Sequence, residues 1–255
     1  MDNTVIYEQP LNERMRTFLR LEHLFKQTNY ALQGFSIWDS RTTINGLVLI
    51  LDILSRNDLK NEILQELERL QKSLNNLRNI PGVDKKQLEN ILNQITVAQN
   101  ELHQQDGQFA AIFKDNELIN SLRQRSTITG GDCNFDLPAY HHWLNLNPDK
   151  RIEQLSQWFD NLEMLKSPIM LILAILRESS EPGELSAEKG FYQQSLDPGT
   201  PVQLLRVIMP YESDVFPEIS AGKHRFTIRF LTSELEKRPT QTEANIQFDF
   251  SICAL

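Results

Sequence analysis

From Leu11 to about Leu176 the apolar residues return every three or four positions, whereas beyond Pro182 they alternate with polar ones in short runs broken by Pro, Gly and Ser. This change of period predicts an α+β protein. A helical domain covers residues 10–180, and an antiparallel β-domain covers 181–255, with the boundary near Glu181-Pro182-Gly183. The first helix is expected to start near Leu11, with Met15, Phe18, Leu19, Leu21, Leu24 and Phe25 making a broad apolar face. A second follows Asp39 and Ser40, either of which can cap it. Further helices are expected over Asp115–Arg125, Pro138–Leu146, Pro148–Phe159 and Leu162–Arg177.

The clearest pattern lies between Leu59 and Leu102. Ile63, Leu67, Leu70, Leu74 and Leu77 alternate steps of four and three, and Leu88, Ile91, Ile95, Ala98 and Leu102 repeat the rhythm. Between them Asn79-Ile80-Pro81-Gly82-Val83 breaks the helix, and Asp84 with Gln87 resembles a capping box. The result is a long antiparallel helical hairpin, each arm about 30 Å long at 1.5 Å per residue. Its apolar seam serves either an internal packing surface or a contact between two chains.

In the C-terminal part Ile246, Phe248, Phe250 and Ile252 point one way and Gln247, Asp249 and Ser251 the other, as in a half-buried strand. Val202 to Met209 is almost wholly apolar apart from Arg206, which marks a central strand. The N-terminal run of about residues 3–8 is β-prone and too short to stand alone, so it is expected to join the C-terminal sheet. The polar stretch Ser233 to Ala244 is expected to be a mobile loop.

Charge narrows the partners. Acids outnumber bases 34 to 26, giving a formal net charge of -8, so the averaged field repels nucleic acid and anionic membrane surfaces. The opening MDNTVIYEQP has no secretory pattern, and the most apolar run, Ile169 to Leu176, falls far short of the roughly 20 residues of a membrane span. No membrane insertion is expected. The two cysteines, Cys133 and Cys253, form no CxxC, which suits a reducing cytoplasm.

No phosphate-binding, dinucleotide-binding, HExxH or nucleophile-elbow motif occurs, so no cofactor, metal or catalytic residue is expected. The one cluster with catalytic residue types is GGDCNFDLPAYHHWL, which gathers Cys133, Asp136, His141 and His142. A small hydrolase or metal-dependent enzyme using Cys133 with a histidine is therefore the alternative. Against it, successive helical residues diverge by about 100°, so His141 and His142 cannot share one target. A Gly-Gly turn leading into a helix through Asp136 and Pro138 accounts for the same residues.

KHRFTIRF offers more. Period two places Lys223, Arg225 and Arg229 on one strand face, with no acid among them, and His224, Phe226, Ile228 and Phe230 on the other. Such a face is either simply solvated or a site for an acidic peptide, because the arginine fork matches carboxylates.

The segments PLNERMRTFLRLE, IPGVD, RQR followed by GGDCNFDLPAYHHWL, GFYQ and FPEISAGKHRFTIRF closely resemble the ZapD family of cell division proteins. The resemblance implies a helical domain joined to a β-domain, a homodimer, and binding to the C-terminal tail of FtsZ that cross-links its filaments at midcell. It also implies that the family's basic tail-binding residues fall on Arg225, Arg229 and Arg56. Lys223 and Arg206 are further candidates for that surface, not carried over from the family.

Overall fold

The computed structural model describes residues 3–56, 58–104, 109, 113–233 and 237–255, the side chain of Arg56 excepted. Among them, eight α-helices and eight strands succeed one another: β1 Thr4–Pro10, α1 Glu13–Leu32, α2 Ile37–Arg56, α3 Leu59–Asn76, α4 Lys85–Gln104, α5 Glu117–Arg125, α6 Pro138–Leu144, α7 Pro148–Asp160 and α8 Glu163–Glu178, then β2 Gly183–Ala187, β3 Phe191–Ser195, β4 Leu204–Pro210, β5 Val215–Ala221, β6 Arg225–Thr232, β7 Thr240–Gln241 and β8 Ile246–Cys253. The class is α+β, as the change of period predicts. The chain divides into two compact units, residues 17–172 and residues 1–16 with 173–255.

In the helical unit, α3 and α4 form the predicted antiparallel hairpin. Gln71 bonds Thr96 at 3.2 Å and Arg78 bonds Glu89 at 2.9 Å, so positions that advance along one arm recede along the other. Ile63, Leu67, Leu70 and Leu74 on α3 and Leu88, Leu92, Ile95 and Leu102 on α4 are buried. Leu92 replaces the expected Ile91, which is only half-buried. Adjacent residues near a seam share burial, and spacing alone leaves the phase of the stripe open by one position. Asp84 accepts from the backbone N–H groups of Lys86 at 2.9 Å and Gln87 at 3.1 Å, satisfying two donors that a helix start leaves without partners.

The cap of α2 corrects the expectation of Asp39 or Ser40. Ser36 Oγ accepts from the Asp39 N–H at 3.1 Å, and Asp39 Oδ2 accepts from the Ser36 N–H at 3.0 Å. Reciprocal bonding of this kind closes the helix start three residues earlier in the chain. Hydrogen bonds from the Ser36 side chain and backbone hold the Asp39 carboxyl below the usual carboxylate range. Deeper in the unit Arg151, 3% exposed, donates to Ser40 Oγ at 3.1 Å and to the carbonyls of Phe35 at 3.0 Å and Leu146 at 2.5 Å. Three oxygen acceptors thus compensate the removal of that guanidinium from water.

The β-unit holds two sheets rather than one, of strand order β1-β4-β8-β2 and β3-β6-β5, with β7 paired to β6. An alternating strand has one apolar face, and two such sheets bury those faces against each other, which periodicity within one strand does not reveal. Their shared core comprises Leu205, Val207 and Met209 of β4, Phe226, Ile228 and Phe230 of β6, and Phe248 and Phe250 of β8. The N-terminal strand joins the first sheet, pairing from Thr4↔Pro210 to Pro10↔Leu204. Along β8 the expected alternation holds through Phe250, but Ser251 and Cys253 are then buried and Ile252 is half-buried. The outward face of the first sheet is covered at that end. Within 233–244, Thr240–Gln241 pairs with β6, and residues 234–236 lie outside the described part.

Candidate functional site

The central strand of the second sheet, β6, sets the site. Its alternation buries Phe226, Ile228 and Phe230, with ring centroids 5.1 Å apart for Phe226–Phe250 and 4.9 Å for Phe230–Phe248. The residues between them must point outward, and Arg225 and Arg229 are both exposed. Lys223 lies exposed in the turn before the strand, which the Gly222 N–H closes on the Arg225 carbonyl at 2.9 Å. Arg225 and Arg229 thus share one sheet face, four residues apart, and Lys223 lies in the adjoining turn. His224 does not continue the inward row: it is exposed, and its carbonyl accepts from the Leu196 N–H at 2.8 Å. The strand begins at Arg225, two residues later than the alternation suggests.

The neighbours of Arg229 come from the flanking strands. In register it faces Phe191 on β3 and Glu218 on β5. Side chains directly opposite on one sheet face have Cβ atoms roughly 5 Å apart, and Arg229 Nη2 donates to Glu218 Oε2. The expected acid-free face is thus corrected. KHRFTIRF itself supplies no acid, but β5 does. Lys223 and Arg225 make no ion pair among the described residues.

Phe191, 41% exposed, is the feature that periodicity missed. It follows a tight turn with Lys189 at φ 46° and Gly190 at φ 68°, the sign pattern of a type I′ hairpin. A Cβ on Gly190 would meet Thr242 at 2.7 Å and the Phe230 carbonyl at 3.1 Å, so glycine is needed both for the backbone angle and for the space. Tyr192, the next residue, turns inward onto Phe248 with centroids 5.7 Å apart, which fixes Phe191 outward. The GFYQ segment carried this information without declaring which aromatic would remain exposed.

Arg206 lies elsewhere. It is on β4 of the other sheet, its side chain 13% exposed, and Nε donates to Glu8 Oε1 at 3.1 Å. Glu8 also receives Arg177 at 2.7 Å, so Arg206 belongs to a half-buried cluster apart from Arg225 and Arg229. Arg56 ends α2, and its side chain lies outside the described residues.

The GGDCNFDLPAYHHWL cluster is arranged as a turn. Gly130 has φ 70°, the Cys133 N–H donates to the Gly130 carbonyl at 3.0 Å, and Asp136 Oδ1 accepts from Arg125 at 2.8 Å. Asp136 therefore serves Arg125 rather than capping α6, where Leu137 precedes Pro138 without a side-chain cap. His141 and His142 are exposed, and no group of three metal-ligating side chains occurs among the described residues. Cys133→Ser and His141→Ala are accordingly expected to leave melting temperature and partner binding near wild type. A specific loss of binding in a folded variant would give the cluster a role that this turn does not explain.

Among the described residues no helix is long and apolar enough to cross a membrane. The chain matches the family model "ZapD: Cell division protein" over residues 19–229. It is 42% identical over the full length of both chains to "Cell division protein ZapD" of Methylococcus capsulatus. It is also similar to proteins of that name from Nitrosomonas eutropha, 38% identical over 98% of this chain and 100% of the relative, and from Aromatoleum aromaticum, 36% identical over 98% of each.

Proposed function

The chain belongs to the ZapD family of cell division proteins, and from that premise we propose that it is a non-enzymatic adaptor that binds the C-terminal tail of FtsZ. It acts as a homodimer in the cytoplasm at the midcell division site, cross-linking FtsZ filaments and so stabilising the Z-ring. The observation that carries the tail-binding part is the exposure of Arg225 and Arg229 on one sheet face of a chain whose net charge is -8. Such a patch attracts an acidic peptide that the rest of the surface repels. Lys223 is the further member of this β-unit surface and Arg56, in the helical unit, is a separate candidate contact for the tail, while the burial and pairing of Arg206 argue for a structural role there.

Pairing of two chains gives the adaptor two tail sites, the least that bridging two filaments requires. The protein should therefore sediment at equilibrium as a dimer. It should co-pellet with assembled FtsZ and bundle the filaments, and should lose both effects with FtsZ lacking its tail. A monomer at working concentrations removes the cross-linking mechanism, and tail-independent co-pelleting removes the proposed site.

A further inference from the structure

The row Phe191–Arg229–Glu218 crosses all three main strands of the second sheet, with an exposed aromatic ring on one side of the arginine and a carboxylate on the other. From this row, and resting on the tail-binding proposal above, we infer that Glu218 is an internal competitor for Arg229 and that Phe191 is the apolar anchor of the same site. The partner segment then carries a carboxylate next to an apolar side chain.

Both members of the Arg229–Glu218 pair are about half exposed, 52% and 51%. An ion pair in water is weak and exchanges readily, so it orients the guanidinium in the free protein without locking it. An incoming carboxylate replaces Glu218 on the arginine fork, while Arg225, four residues along the same face and without an ion pair among the described residues, is available from the start. The exchange makes the site selective. An anion that only lies nearby gains little at Arg229, because Glu218 already neutralises it; a ligand held beside Arg229 by an apolar contact competes from a high local concentration. Phe191 supplies that contact at cross-strand distance, and its exposed ring loses water only when the segment is in place. Half-buried Phe216 and Leu231, paired with each other in the next outward row, extend the apolar floor. Glu218 thus sets the affinity and salt response of the site, and Phe191 sets which acidic segments it accepts.

The test is binding of a fluorescently labelled FtsZ tail peptide to the full-length protein by anisotropy, over a salt series. Glu218→Gln is expected to tighten binding about two- to fivefold, the range of a lost exposed ion pair. It should also steepen the salt dependence, because one pair is then gained rather than exchanged. Glu184→Gln, which changes net charge equally from the exposed face of β2 on the other sheet, should leave binding within error. Phe191→Ala should weaken binding about tenfold, as truncation of an aromatic anchor does, and Phe191→Leu should restore most of it. Equal effects of Glu218→Gln and Glu184→Gln, or any weakening by Glu218→Gln, overturn the competitor role. Wild-type binding by Phe191→Ala overturns the anchor. If Arg225→Glu and Arg229→Glu weaken the peptide while these variants do not, only the present inference fails; if the arginine reversals are also silent, the tail site itself lies elsewhere.

Discussion

Replacing Phe250 by Ala is expected to lower the unfolding free energy by about 3 to 5 kcal/mol, and Phe248→Ala by a similar amount. Phe248 and Phe250 are buried between the two sheets. Their rings meet Tyr192 at 5.7 and 6.5 Å, and each also packs on a β6 ring. Truncation removes transfer free energy and leaves a cavity that rigid flanking strands cannot close. Chemical denaturation followed by far-ultraviolet circular dichroism measures the loss. A double-mutant cycle of Phe250→Ala with Phe226→Ala should add a coupling of about 0.5 to 1.5 kcal/mol, the usual worth of a stacked aromatic pair beyond its area. Near-neutral effects would mean that this face of β8 does not meet β6. Function is linked to the same cluster, because Phe226 and Phe230 anchor the strand whose other face presents Arg225 and Arg229.

The helical hairpin was legible because a long seam repeats its signal over many turns, and because Pro81-Gly82 and Asp84 mark the turn chemically. Class was legible for the same reason: the period changes from helical to two and stays there. The division into two sheets was not, since alternation in β6 or β8 states that one face is buried without stating against which strand. Burial at the end of β8 failed similarly. Ser251 reads as a wet residue until Arg206 and Glu8 are placed beside it by register, Glu8↔Arg206↔Ser251.

At the candidate site the outward arginines follow from period two alone, whereas their neighbours depend on pairing. Glu218 lies 11 positions from Arg229 and Phe191 lies 38 positions away, and only the registers of β5 and β3 set both against one guanidinium. A charge count along one strand could not find the acid on the next. Arg206 shows the opposite failure. It shares residue type with the site but sits on the other sheet, where Glu8 and Arg177 explain it without a partner.

Charge reversal of both outward arginines, Arg225→Glu with Arg229→Glu, is expected to abolish co-pelleting with FtsZ filaments. Each reversal exchanges an attraction of about 0.2 to 1 kcal/mol for a repulsion of similar size, so the pair removes roughly 1 to 4 kcal/mol. A micromolar complex holds only about 8 kcal/mol, and a loss at the upper end of that range, about a thousandfold in Kd, moves it out of the range of a sedimentation assay. The two single variants should differ in stability. Arg229→Glu places a carboxylate directly opposite Glu218, and like charges across strands destabilise, so a slightly lower melting temperature is expected. Arg225→Glu breaks no ion pair among the described residues and should melt near wild type, which makes it the cleaner probe of binding. Arg206→Glu should do the reverse, costing stability by facing Glu8 while leaving the tail interaction near wild type. Wild-type binding should itself weaken as salt rises, because exposed charges are screened within about 8 Å at physiological ionic strength. Normal bundling by a folded double reversal would place the tail on another surface. Binding indifferent to salt would mean that apolar contact alone holds it, leaving the exposed arginines of β6 without a role in recognition.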